Sequence, residues 1–245
     1  IGGGFISSPL LILVGIPPAV AVGTTTVQVF ASTSTGVLSH YQKRNIDYQM
    51  GITMIIGGIF GTLTGVLLLN SLKTIGLIDN YLNIIYVVLL FGTAVFILYE
   101  TAKVNFFYKK KRFKLHQHSW IHGLPFKIKY RKSKLYISIL APLTIGYLIG
   151  LLTGLTGIGG GFILIPFMIY LLGMKTISVI GTSLFNITIV AFISLFLQIY
   201  INQNIDFMLA VFLIISSSVG AAIASRLIDR FDQENLKVLF GVLLM

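Results

Sequence analysis

Cysteine is absent from the 245 residues. That excludes disulfides and thiol chemistry, although it names no compartment. Charge is nearly as scarce: Asp, Glu, Lys and Arg make up 10% of the chain, against about 25% in ordinary soluble domains. Acidic residues are the rarest class, 7 against 18 basic ones. The familiar equipment of hydrolysis is missing too, since the chain holds no HExxH, no GxSxG and no pair of intramembrane aspartates, so a membrane-embedded enzyme would lack its reacting groups. What fills the space is apolar, at 56% of residues with a mean hydropathy of +0.92. This is the composition of a membrane protein.

The uncharged runs divide the chain. Residues 1–42, 48–72, 80–99, 135–174, 176–205 and 207–225 hold no charged side chain, and about 20 residues cross the hydrocarbon core. The run 135–174 would make a helix about 60 Å long, roughly twice the core thickness, so it must turn back. The run 1–42 turns at "VGIPPAV", where proline begins the next helix. The expected helices are 5–14, 18–41, 48–72, 81–103, 135–156, 161–172, 177–201, 207–229 and 235 onward, with no strand.

Residues 101–134 carry eleven of the Lys and Arg residues and no acid. By the positive-inside bias this loop is cytoplasmic. Its charge suits anionic lipid headgroups, and no nucleic-acid partner is expected. His116, His118 and His122 have a loosely metal-like spacing, but without Cys or a nearby carboxylate no metal site is expected.

The chain repeats itself across that loop. "GGGFISSPLL" at 2–11 returns as "GGGFILIPFM" at 159–168, "VGTTTVQ" at 22–28 as "IGTSLFN" at 180–186, and "NIDY" at 45–48 as "NIDF" at 204–207. Thr24 thus answers Thr182, Thr25 answers Ser183, Gln28 answers Asn186, His40 answers Gln198 and Gly61 answers Gly220. The expected organisation is a first transmembrane repeat at 1–100, the basic loop at 101–134 and a second repeat at 135–245. The helix before the second GGGF has no counterpart before the first, and the last helix stops early. The chain is therefore expected to be a fragment.

The glycines break helices. Without a Cβ the backbone leaves regular helix easily and lets a ligand or another chain approach. In a bilayer such a break is tolerated only where protein buries it or a watery cavity meets it. The helix that restarts presents unpaired N–H groups and a positive dipole end, which suits an anion. The candidate binding residues are therefore Gly2, Gly3, Gly4 and Phe5 with Gly159, Gly160, Gly161 and Phe162. Thr24, Thr25, Gln28, Thr182, Ser183 and Asn186 join them on the helices that follow, as neutral donors that spare the cost of a membrane-buried charge. "GGIFGTLTG" at 57–65 has four-residue spacing and is expected to pack helices. Ser32, Thr33, Ser34 and Thr35 are expected to bond backbone or neighbouring helices, and Asp47 and Asp206 to cap helices. The glycines lack the preceding strand and Gly-Lys-Ser/Thr of a nucleotide site, and no cofactor is implied.

The doubled GxGGGF with its proline, the GTT or GTS opening and the NID before the third helix resemble the TauE/SafE sulfite exporter family, also called toluene sulfonate uptake permeases. The resemblance spans both halves. It implies transport of sulfite, sulfonates or sulfoacetate-like anions in the cell membrane. The fold expected is an all-α polytopic bundle of two repeats, inverted by the positions of the positive loops or parallel if residues 161–172 re-enter rather than cross, working by alternating access around both GGGF breaks. A channel for anions or a carrier of another solute is the alternative, and homo-oligomerisation is open. No carboxylate lies deep in a span and His40 sits near a helix end, so facilitated diffusion or exchange is expected over proton coupling, unless backbone carbonyls hold the coupling ion.

Overall fold

A computed structural model describes residues 4–107, 125–133, 135–174 and 176–227. The expected helix from 235, the three loop histidines, Gly2 and Gly3 lie outside these residues. The described chain forms α1 (Gly4–Leu13), α2 (Pro18–Gln42), α3 (Tyr48–Ile75), α4 (Ile78–Phe107), β1 (Lys127–Tyr130), β2 (Leu135–Ser138), α5 (Leu140–Thr156), α6 (Gly161–Pro166), α7 (Thr176–Leu197) and α8 (Phe207–Leu227). Helices α6 and α7 each continue into a five-residue π turn, Phe167–Leu171 and Gln198–Asn202. Among the described residues, Tyr48–Ile75, Ile78–Val95 and Ser178–Asn202 are long and apolar enough to cross a membrane.

Helices α3 and α5 meet backbone to backbone. A Cβ on Gly57, Gly61 or Gly65 would overlap the carbonyl of Leu143, Tyr147 or Leu151 respectively, and one on Gly146, Gly150 or Gly154 would meet that of Met54, Gly58 or Thr62. Both sets recur every four residues, so each helix presents one bare stripe, and residue numbers rise together along the seam. The two helices therefore run parallel. Close approach of this kind is how helices associate where apolar side chains gain nothing by leaving lipid.

Helices α2 and α7 run the other way. A Cβ on Gly36 would lie 3.2 Å from Leu184, the start of α2 meets the loop after α7 through the Asn204 amide on the Ala19 carbonyl (2.6 Å), and Gly181 of α7 packs on the Asn45 carbonyl before α3. Two equivalent bonds close the ends: Asp47 N–H donates to Thr182 Oγ1 at 2.9 Å, and Asp206 N–H donates to Thr24 Oγ1 at 3.2 Å.

The expectation of an all-α chain needs one correction. Lys127–Tyr130 and Leu135–Ser138 form an antiparallel ribbon in which Ile128 faces Ile137 and Tyr130 faces Leu135. The expected helix from 135 begins instead at Leu140. Alternation is the cause: Ile128, Tyr130, Leu135 and Ile137 share the inner face and Lys129 and Tyr136 the outer one. The inner face joins a core with Met50, Met54 and Met168, and burial there holds the Tyr130 phenol above the ordinary tyrosine range.

Asp47 anchors the ribbon as well as its own helix. One carboxyl oxygen accepts from Met50 N–H at 3.2 Å, and the other accepts from Ser133 N–H at 3.1 Å and from Ser133 Oγ. Lys132 Nζ donates to the carbonyls of Arg44 and Ile46 beside it. Among the described residues the Asp206 carboxyl only caps, accepting from Leu209 N–H at 3.0 Å. Asp206→Ala is therefore expected to cost about 1 kcal/mol as a lost cap. Asp47→Ala leaves further buried donors unpaired and is expected to cost about 2–4 kcal/mol. Chemical unfolding of both variants in detergent checks the order.

Candidate functional site

The second glycine run is a true break. Helix α5 ends at Thr156, and Gly157, Gly159 and Gly160 take φ of 68°, 79° and 57° before α6 begins at Gly161. Only glycine adopts this left-handed backbone without strain. The carbonyls freed at the end of α5 find partners: Thr153 accepts from Gly157 N–H at 2.9 Å, Gly154 from Gln198 Nε2 at 3.0 Å, and Thr156 from the Tyr86 hydroxyl at 2.6 Å. The break is thereby braced by α4 and α7.

The two GGGF segments converge. Phe5 and Phe162 pack with ring centroids 4.0 Å apart, and a Cβ on Gly4 would lie 3.4 Å from the Gly157 carbonyl and 3.5 Å from that of Ile158. Val29 of α2 closes against both segments, since a Cβ on Gly4 or Gly159 would strike it, and the Gly159 position also lies 3.2 Å from Ile187 of α7. The broken segment thus fills the wedge between α2 and α7 one residue beyond Gln28 and Asn186.

The candidate polar residues separate into two groups. The hydroxyls of Thr24, Thr25, Thr182 and Ser183 are engaged within the protein. Thr24 and Thr182 accept the two closing bonds already described. Thr25 Oγ1 donates to the Ala21 carbonyl at 2.7 Å and lies 2.8 Å from Ser8 Oγ, while Ser183 donates to the Ile180 carbonyl at 3.0 Å. Thr33 and Ser34 bond carbonyls one turn back, at 2.8 and 2.7 Å, and Ser32 and Thr35 do so within three residues.

Gln28 and Asn186 form the other group. Both are buried, at 4% and 0% exposure, yet among the described residues Gln28 Oε1 and both polar atoms of Asn186 have no hydrogen-bond partner. A buried unpartnered polar atom costs about 1–3 kcal/mol, so two at equivalent places demand an explanation. Asn186 stands one turn from Thr182, which faces the start of α3, and one turn from Val190, whose Cγ2 lies 2.6 Å from the Gly58 Cβ position. Its face therefore looks toward α3. Thr62 and Ser194 add two buried hydroxyls without partners, on α3 and two turns along α7 from Asn186.

Ser8, Tyr86 and Thr62 are site neighbours absent from the candidates read in the sequence. Only Ser8 had a signal, its place inside the first GGGF motif. Tyr86 acts through a single contact between distant elements and Thr62 by its burial against α5, neither of which a local pattern carries.

Among the described residues the arrangement offers neutral donors and acceptors and no fixed charge. The profile described as sulfite exporter TauE/SafE matches residues 1–245. The chain is similar to the probable membrane transporter protein YjnA of Bacillus subtilis (strain 168), at 27% identity over all of this chain and 89% of that protein. It is similar to a probable membrane transporter protein of Xylella fastidiosa (strain 9a5c), at 25% identity over all of this chain and 84% of that one. The probable membrane transporter protein MJ0441 of Methanocaldococcus jannaschii is 32% identical over 69% of this chain and 54% of its own length. No solved structure matches. The profile covers the chain from end to end, and the protein therefore belongs to the TauE/SafE sulfite exporter family, whose members are multi-pass membrane transporters and not enzymes.

Proposed function

We propose that the protein moves a small sulfur-containing anion, sulfite or a sulfonate or sulfoacetate-like compound, across the plasma membrane by alternating access. The site lies between Gly4 and Phe5 of α1 and the break at Gly159–Phe162, with Gln28 and Asn186 as the principal ligands and Thr24, Thr25, Thr182 and Ser183 shaping its walls. The observation that carries this reading is that Gln28 Oε1 and both polar atoms of Asn186, at equivalent positions on α2 and α7, are buried without a partner among the described residues. The helix start at Gly161 adds a positive dipole end without a fixed charge.

The repeats 1–100 and 135–245 are read as inverted. Support comes from the antiparallel run of α2 against α7, the equivalent helices, and from the exchanged Asp47–Thr182 and Asp206–Thr24 bonds. Lys43, Arg44 and the basic ribbon gather at one end of the bundle through the Lys132 contacts, which supports a cytoplasmic 101–134 loop facing anionic lipid.

Flux of radiolabelled sulfite into liposomes holding the purified protein tests the reading. Saturable uptake, accelerated by unlabelled sulfite or a sulfonate on the far side, is expected. Ohmic, unsaturated current would place the protein among channels, and exchange confined to solutes without sulfur would overturn the cargo class.

A further inference from the structure

Asn186 presents more than a spare donor. Its Nδ2 and its Oδ1 are both buried and both without a partner, at 0% exposure of the residue. Among the described residues no other side chain has two polar atoms orphaned together. The amide can be turned over where it stands, which exchanges N for O, and the requirement stays the same. One atom must receive a hydrogen bond and the other must give one.

An oxyanion without a proton satisfies half of this. Sulfate, the sulfite dianion and a plain alkanesulfonate carry acceptor oxygens only, so each would pair with Nδ2 and leave the Oδ1 lone pairs buried and dry. A sulfur anion with its own O–H or N–H fills both places, its oxygen accepting from Nδ2 and its hydrogen donated to Oδ1. Gln28 has the same deficit on the acceptor side, since its unpartnered atom is Oε1. Sites built to hydrogen-bond a substrate hydroxyl reject the analogue that lacks it far more strongly than apolar pockets reject a missing methylene, because their own polar groups are left unpaired.

We infer that Asn186 selects sulfur anions that bring a hydrogen-bond donor: bisulfite over the sulfite dianion, and hydroxy- or ammonio-sulfonates over plain alkanesulfonates. This rests on the sulfur-anion reading above and narrows it.

The test compares 2-hydroxyethanesulfonate with ethanesulfonate, two monoanions of nearly one size that differ by the hydroxyl, with sulfite as the reference ligand. Binding to the full chain in detergent is measured by calorimetry. Preference for the hydroxylated sulfonate of at least tenfold is expected in the wild type, with both bound alike by Asn186→Leu and the preference regained in Asn186→Gln, which copies the residue at 28. Equal binding of the two by the wild type overturns the inference, as does a preference that survives in Asn186→Leu or rejection of both while sulfite binds. The wild-type comparison alone decides the matter should a variant fail to fold. Failure of all three ligands would instead remove the sulfur-anion reading on which the inference stands.

Discussion

Gly61→Leu is expected to yield no monodisperse protein after extraction in mild detergent. The leucine side chain would have to occupy the space of the Tyr147 carbonyl and the Leu151 N–H, both rigid backbone of α5. A surface side chain can swing aside, but a helix cannot, so α3 and α5 must separate along a seam of six glycines. Overpacking in a soluble core costs about 1–3 kcal/mol, and here the separation opens the whole seam. Gly92→Leu is the matched control. It places the same side chain in another apolar helix where nothing lies within 4 Å of the Cβ position, and it is expected to extract and unfold like the wild type. Size-exclusion profiles of the two variants give the comparison.

Gln28→Leu and Asn186→Leu are expected to act in opposite directions on stability and transport. In the ligand-free protein each removes buried polar atoms that have no partner, so the unfolding midpoint should hold or rise, because an unsatisfied group costs about 1–3 kcal/mol. With ligand, each removes hydrogen bonds to an anion, worth about 1.5–3 kcal/mol apiece, which is roughly tenfold or more in affinity. Sulfite flux should fall at least tenfold in both. A variant that lost flux and stability together would mark the amide as a structural element whose partner lies elsewhere in the protein.

The helices were legible because membrane spans announce themselves by the absence of charge. Expected bounds of 18–41 and 48–72 became Pro18–Gln42 and Tyr48–Ile75, the differences lying at ends where Gln42 and Lys73 extend the helix into polar surroundings. The break after Thr156 was legible for a related reason, since consecutive glycines serve no span that stays helical. The ribbon was not. Four alternating residues in Lys127–Tyr130 and four in Leu135–Ser138 are too few to establish a period of two, and the second strand merges into the apolar run of α5.

The site was legible at the level of motifs and not of bonds. The repeat identified Gln28 with Asn186 and Thr24 with Thr182 as equivalent pairs. Which of those pairs remains free for a ligand depends on what lies across the interface. Thr182 faces the Asp47 N–H and is engaged, whereas Asn186, one turn on, has no hydrogen-bond partner among the described residues. That distinction arises from the inter-helix packing of α3 against α7. Gly57, Gly61 and Gly65 were recognisable as a packing stripe from their spacing, yet nothing local designated Gly146, Gly150 and Gly154 as the partner stripe.

The central claim is that Gln28 and Asn186 hold the transported anion, and ligand-dependent thermal unfolding tests it most directly. Sulfite at a hundredfold excess over its dissociation constant should stabilise the wild type by about 2.7 kcal/mol, since it binds only the folded state. The account predicts that shift in the wild type and none in a cooperatively unfolding protein carrying both Gln28→Leu and Asn186→Leu. An equal shift in the two proteins would contradict it, by placing the sulfite site away from the two amides.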